Sequence, residues 1–389
     1  MKKKIILGIL IVAFISSALT IAGLCLIFRI DTQSAINLGR LLSAMHFIEA
    51  QYVQDVDKDK LIGGAISGMV RSLGDPHSIY LEPKLYSQLK ADTSGTFGGI
   101  GVYMNLKDNV VQIINVIPGG PSDKIGLKAG DLILAVNSQP VEEFDYNEVT
   151  FKIRGEVGTP VELLIHRDGE EDKTYTITRE IIKEKTVFNK MLDDKLGYIR
   201  ISHFSEETGK EFKSAISELE NENMKGLILD LRQNPGGVIT SCLEIAREIV
   251  PKGPIVSIIQ REGKKETYTS DLEKTKFPIV VLLNQNSASA AELLSGALQD
   301  TKAAVIVGTK SYGKGSVQTL IPMLHDDGLK LTIAKYYTPN GRSIDGVGII
   351  PDFEVQLENP LPMKSEFNTD SDNDAQLRKA EEILNEKIF

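Results

Sequence analysis

A chain of 389 residues, 42% of them apolar, is too long for one compact core and carries enough apolar side chain for two or three domains. Its net charge of -9, with no Lys/Arg cluster after the first few residues, argues against a nucleic-acid partner. Only Cys25 and Cys242 are present, and the five histidines show no ligand spacing such as HExxH, so neither a disulfide framework nor a metal or other cofactor is expected.

In chain order, Lys2, Lys3 and Lys4 precede Ile5 to Phe28, an uncharged run of 24 residues. As a helix it spans about 36 Å, enough to cross a bilayer. The run continues past the small residues Ser16-Ser17-Ala18, which favours an uncleaved anchor over a removed signal peptide. Leu24 before Cys25 does not suit a lipoprotein signal. The three lysines face only Arg29 on the far side, which predicts a single-pass protein of the cell membrane with residues 1–30 as anchor and the remainder outside the cytoplasm.

Residues 31–92 carry apolar side chains at helical spacing over Ala35 to Val53 and Lys60 to Leu73, then a turn at Gly74-Asp75-Pro76. Residues 93–180 change to short alternating runs separated by Gly, Pro and Asn-Ser turns, the pattern of a small β-rich module. Residues 181–360 alternate apolar strands with helical stretches, which predicts an α/β core with parallel strands and ligands at strand ends. Residues 361–389 form a polar linker and a short helix, Ala375 to Ile388.

Three strand-end loops can carry chemistry. Asn284 to Glu292 runs from the strand Ile279 to Leu283 into a helix, and a serine there can sit at a positive helix end facing a developing oxyanion. Ser289-Ala290-Ala291-Glu292 also reads as a capping box, which on this segment alone is the simpler explanation. Lys314 stands between Gly313 and Gly315, where the backbone can approach another segment closely; the loop lacks the Walker spacing of a phosphate site. Asp230 to Gly237 ends a strand, and Gly236 and Gly237 can present N–H groups to a cleft or simply make the turn.

Taken together with Gly74-Asp75-Pro76-His77-Ser78, Gly98-Gly99-Ile100-Gly101, Pro118 to Ser122, Leu127 to Asp131 and Arg154 to Thr159, these loops make the chain from about Ala35 onward resemble the carboxy-terminal processing peptidases, or tail-specific proteases. The resemblance implies an α/β peptidase core of crotonase/Clp-protease-like βα units with an inserted β-rich PDZ domain behind a helical N-terminal segment. It also implies a serine–lysine dyad: Ser289 as nucleophile rather than Ser287, Lys314 as base and Gln318 in support. Oxyanion donors would be the N–H of Gly236 or Gly237 and of Ala290. Ala291 stands where the family often has serine.

For Lys314 to accept a proton it must be largely neutral, which burial can bring about. Gln318, four residues on, can share its face and orient the amine. No histidine sits in a Ser-His-Asp context, and His77 reads as structural. In the PDZ-like module Gly98, Gly99, Ile100 and Gly101 would form an N–H nest for a C-terminal carboxylate; the resemblance implies that Arg154 couples the module to the core, where by itself it reads as a surface arginine. The reading is thus an endopeptidase acting on protein or peptide C-termini, a homo-oligomer or regulatory partner being left open. The competitor is a non-catalytic, membrane-anchored PDZ receptor. An α/β-hydrolase is disfavoured by the lack of Gly-x-Ser-x-Gly.

Overall fold

Capping and periodicity set the first helices. In the computed structural model, which describes Ser16 and residues 31–107, 110–144, 146–357 and 373–388, the chain divides into two units, Met1–Gly74 and Asp75–Phe389. The expected anchor, Ile5 to Phe28, lies outside the described residues but for Ser16; among the described residues no helix is long and apolar enough to cross a membrane. In the first unit, α1 (Thr32–Gln51) starts where the Asp31 carboxylate accepts the Ser34 N–H at 2.7 Å. Asp57 caps α2 (Lys58–Arg71) by accepting from Asp59 and Lys60.

The second unit opens at Asp75, whose carboxylate accepts the His77 N–H at 3.0 Å and the Ser78 hydroxyl at 2.6 Å, a local turn that competes with helix. It leads into β1 (Ile79–Leu81), so the expected helical stretch to residue 92 contains a strand before α3 (Pro83–Ser94). Three residues, of which only Leu81 is buried, are too few for a period to show.

A β-rich module follows. β2 (Thr96–Gly99) leads to β3 (Val102–Lys107), β4 (Val110–Val116), the short α4 (Pro121–Lys124), β5 (Leu132–Val136), β6 (Gln139–Pro140), α5 (Tyr146–Ile153), β7 (Pro160–His166) and β8 (Lys173–Thr178). The sheet order is β3-β4-β5-β7-β8 with β6 beside β5, and alternate residues such as Val111, Ile113, Leu163 and Ile165 pack into one core with Val149 and Ile153 of α5. β2 pairs instead with β9 (Glu180–Lys183), closing the module at its entrance and exit.

The remainder runs β10 (Val187–Met191), β11 (Leu196–Ile201), α6 (Thr208–Asn221), β12 (Gly226–Asp230), α7 (Ile239–Ile249), β13 (Gly253–Gln260), β14 (Lys265–Ser270), β15 (Ile279–Leu283), α8 (Ala290–Asp300), β16 (Ala304–Gly308), β17 (Ser316–Pro322), β18 (Gly328–Tyr337), β19 (Phe353–Glu354) and α9 (Ala375–Ile388). The main sheet has the order β10-β11-β12-β15-β16-β19, parallel except at β10. Both of its faces are covered, which is why its strands read as continuous apolar runs. Ile199, Leu229 and Val281 face α6, α7 and α8, while Tyr198, Ile228 and Val280 face Leu377, Ala380 and Leu384 of α9. Leu377 and Leu384 are 0% exposed, so truncating either to alanine should cost about 2–5 kcal/mol. A second sheet, β1-β18-β13-β14 with β17 beside β18, is wholly antiparallel.

Candidate active site

β12, β15 and β16 are neighbours in the parallel sheet, so the loops leaving their carboxyl ends meet: 231–238, 284–289 and 309–315. Backbone bonds lock them together. Ala288 N–H donates to Asn234 O at 2.9 Å, Thr309 N–H to Leu283 O at 3.1 Å and Tyr312 N–H to Ser287 O at 3.0 Å.

The two serines of the middle loop separate clearly. Ser287 is 0% exposed; its hydroxyl donates to Leu231 O at 2.8 Å and accepts the Asn284 N–H at 3.0 Å, which makes it a loop brace. Ser289 is half-buried, lines a cleft of about 950 Å³ and sits at the N-cap of α8 with φ 54° and ψ -115°. A positive φ at a non-glycine residue is strained, and such strain persists where surrounding structure holds a side chain in a required direction.

Lys314 lines the same cleft. Burial, reinforced by the positive charge of Lys330, pulls its ammonium below the ordinary lysine range, against the opposing influence of Asp75 and Glu292. Its backbone is gripped on both sides: the N–H donates to Glu292 Oε2 at 2.8 Å and the carbonyl accepts the Tyr336 hydroxyl.

Gly236 and Gly237 have φ of 95° and 139°, conformations open to glycine. A Cβ on Gly236 would stand 2.7 Å from Ser289 Cβ and 2.9 Å from Ala290 N, and one on Gly237 2.0 Å from Phe204 O. The loop therefore lies directly on the Ser289–Ala290 peptide. The two amides are not equivalent: Gly236 N–H donates to Asn234 Oδ1 at 2.8 Å, whereas Gly237 N–H has no partner among the described residues. Ala290 N–H, at the first turn of α8, has no intrahelical acceptor by construction.

Gln318 also lines the cleft, but its amide donates to Ser316 Oγ at 2.8 Å and Thr332 Oγ1 at 3.1 Å. A register shift between Val317 and Gln318 interrupts the simple alternation along β17.

The PDZ-like residues surround a separate cleft of about 200 Å³ between β3 and α5, lined by Gly99, Ile100, Gly101, Val102, Thr150 and Ile153 among others. Gly98 and Gly99 belong to β2, paired with Ile181 and Glu180 of β9. A Cβ on Gly98 would lie 2.0 Å from Gly155 O, so this glycine serves a close backbone crossing. Arg154 stacks over the Phe97 ring, 3.8 Å from its centre, and with Tyr103 and Glu184 lines both clefts.

Three features escaped the sequence reading. Glu292, 0% exposed, accepts Ser289 N–H at 2.9 Å, Ser311 Oγ at 2.5 Å, Gly313 N–H at 2.6 Å and Lys314 N–H at 2.8 Å, joining the serine loop to the lysine loop. Ser-x-x-Glu signals only the first of these bonds. Arg232, buried at the end of β12, pairs with Asp230 at 2.6 Å and with Asp374 at 2.8 Å, tying α9 to the start of the glycine loop. Breaking such a buried pair costs about 3–5 kcal/mol. Asp75 acts on the Lys314 charge from the turn before β1; burial pushes its own carboxyl up, but hydrogen bonds from Ser78, Thr332 and His77 win and hold it below the usual range. Among the described residues no group of three or more His, Cys, Asp or Glu is placed to hold a metal ion.

Comparison with known proteins bears on this arrangement. The chain matches the family models described as peptidase family S41 at residues 195–355, PDZ domain at 112–167 and activating protease CtpB N-terminal domain at 29–84. It is 37% identical over 360 residues to a carboxy-terminal-processing protease of Bartonella bacilliformis, covering 90% of this chain and 82% of that protein. To carboxy-terminal processing protease CtpB of Bacillus subtilis it is 36% identical over 355 residues, covering 88% and 74%. A solved structure described as an S41 protease from Bacteroides fragilis shares the fold, with a TM-score of 0.51 at 16% identity over 82% of this chain and 90% of that one. With such identity sustained from the helical N-terminal part through the PDZ domain to the peptidase core, the chain belongs to peptidase family S41, as a serine peptidase of the carboxy-terminal processing type.

Proposed function

We propose that the protease cleaves peptide bonds of protein substrates with a Ser289–Lys314 dyad after capturing their C-termini in the PDZ groove, on the outer side of the membrane that residues 1–30 would span. The observation that carries the dyad is the shared cleft: a strained, accessible serine and a lysine whose charge is disfavoured by burial, at the ends of adjacent parallel strands.

In this reading Ser289 Oγ attacks the scissile carbonyl as Lys314 Nζ takes its proton. The oxyanion is met by Ala290 N–H and, because Gly236 N–H is engaged by Asn234, by Gly237 N–H rather than its neighbour. Collapse of the tetrahedral adduct passes the proton from Lys314 to the departing amine, and water repeats the cycle on the acyl-enzyme. Gln318 orders the β17–β18 wall beside the lysine. Glu292 positions both loops without touching substrate.

Capture follows from the edge position of β3: a substrate tail can add as a strand there, its carboxylate held by N–H groups of the Gly99 to Gly101 turn. Arg154, facing both clefts, is suited to couple tail binding to the core. The test is a pair of full-length variants. Ser289→Ala should lose hydrolysis by at least about 10⁴-fold, while Ser287→Ala should keep most activity and lose about 1–3 kcal/mol of stability from its unpaired loop partners. The reverse pattern would place the nucleophile at Ser287.

A further inference from the structure

Lys330 has no part in the scheme above, yet it lines the substrate cleft together with Ser289, Lys314 and Gln318. It sits on β18 in register with Leu320 of β17 on one side and Ile79 of β1 on the other. Two residues further along β18 is Thr332, whose hydroxyl holds the Gln318 amide, so Lys330 and Thr332 share a strand face. Lys330 is half-buried and has no ion-pair partner among the described residues. The carboxylates that act on Lys314 are engaged elsewhere: Asp75 by Ser78 and His77, Glu292 by the loops that carry Ser289 and Lys314. Glu184 is the acid among the cleft residues, against Arg154, Lys185, Lys314 and Lys330, in a chain whose net charge is -9. A half-buried ammonium without a counter-charge in a cleft that must admit peptide is a place for an anion to bind.

We infer that Lys330 forms an anion subsite in the cleft, selecting substrates that bring a carboxylate close to the scissile bond. The carboxylate is either an Asp or Glu side chain or the terminal carboxylate of a short tail. One consequence concerns Lys314, which faces Lys330 from β18 and the opposing acids Asp75 and Glu292. The Lys330 charge favours the neutral amine, so its removal raises the proton affinity of Lys314 and moves the rising limb of the pH–rate profile to higher pH. The selectivity half rests only on Ser289 marking the cleavage point. Hydrolysis surviving in Ser289→Ala would overturn that placement, whereas failure of the subsite leaves the Ser289 result untouched.

The experiment uses the full-length enzyme and a peptide series in which one Glu, or Gln in its place, is moved residue by residue across the cleaved bond, each with a free or amidated tail. Wild type should prefer Glu over Gln by about tenfold in kcat/KM at one position. The preference should vanish in Lys330→Gln and return in Lys330→Arg, with the pH profile of Lys330→Gln shifted upward and that of Lys330→Arg restored. If amidation removes the Lys330-dependent discrimination, the anion is the terminal carboxylate; if the discrimination persists, it is the side chain. No preference for acid at any position or tail, or a preference unchanged in Lys330→Gln, would overturn the subsite.

Discussion

The two clefts of this protease are built by different means. The PDZ groove of about 200 Å³ is framed by an edge strand, a helix and a glycine turn, with Thr150, Arg154 and Glu184 standing beside the apolar side chains of its walls. The peptidase cleft of about 950 Å³ is framed by loops from three adjacent parallel strands and lined by lysines, serines and a glutamine. Backbone amides recognise a shape common to every chain end, whatever its sequence; side chains supply the proton transfer that backbone cannot. The difference predicts that point substitutions can abolish chemistry without disturbing capture, and that capture is disturbed chiefly by changing the ligand.

The sharpest way to break that contrast is at Lys314. Lys314→Arg should be as inactive as Lys314→Ala, each down by at least about 10³-fold, because a guanidinium cannot accept the serine proton. Tail affinity should be unchanged in both. If Lys314 is the base of the proposed dyad, its working form is the neutral amine, and kcat/KM should rise with pH through a lysine titration below the ordinary range. An active arginine variant, or a rate flat through that region, would remove the dyad.

Glu292→Gln comes next. Four donors converge on this buried carboxylate, and an amide presents two donors of its own where acceptors are needed. Activity should fall on the order of 10²-fold, mainly in kcat, since both loops lose their register by fractions of an ångström. Peptide binding to the groove should persist; loss of binding together with kcat would mean global unfolding instead.

The smallest effect is expected at Arg154, the residue shared by the two clefts. Arg154→Ala should lower cleavage of free-tailed substrates by about tenfold and reduce the advantage of a free tail over an amidated one. If the advantage is intact in the variant, Arg154 does not couple the domains.

Much of this was legible in the sequence because period and punctuation are local. The parallel strands, the helix at Ala375 to Ile388 and the three strand-end loops follow from apolar runs, turn residues and motif order. What was not legible depends on side chains meeting across long separations. Glu292 reads as a helix cap, and its hold on residues 311–314 exists only after the βα unit has folded back. The unequal standing of Gly236 and Gly237 depends on where the Asn234 side chain turns. The antiparallel sheet is less legible because its strands are uneven: Gly253–Gln260 carries a buried apolar run, while Lys265–Ser270 is polar and mostly exposed. The C-terminal helix follows from its sequence, but its work as the cover of the second sheet face does not, since Asp374 and Arg232 meet across 142 residues.

The central claim, that capture and chemistry reside in separate clefts and act in sequence, is tested most directly by one peptide in two forms, free acid and C-terminal amide. Affinity is measured on full-length Ser289→Ala and cleavage rate on the wild type. The account predicts that the acid binds Ser289→Ala more tightly and is cleaved faster by the wild type, because successive N–H groups of the groove stabilise an anion and gain little from a neutral amide. Equal affinity and equal rates for the two forms would contradict tail capture, and discriminating binding without any wild-type cleavage would contradict the link between capture and hydrolysis.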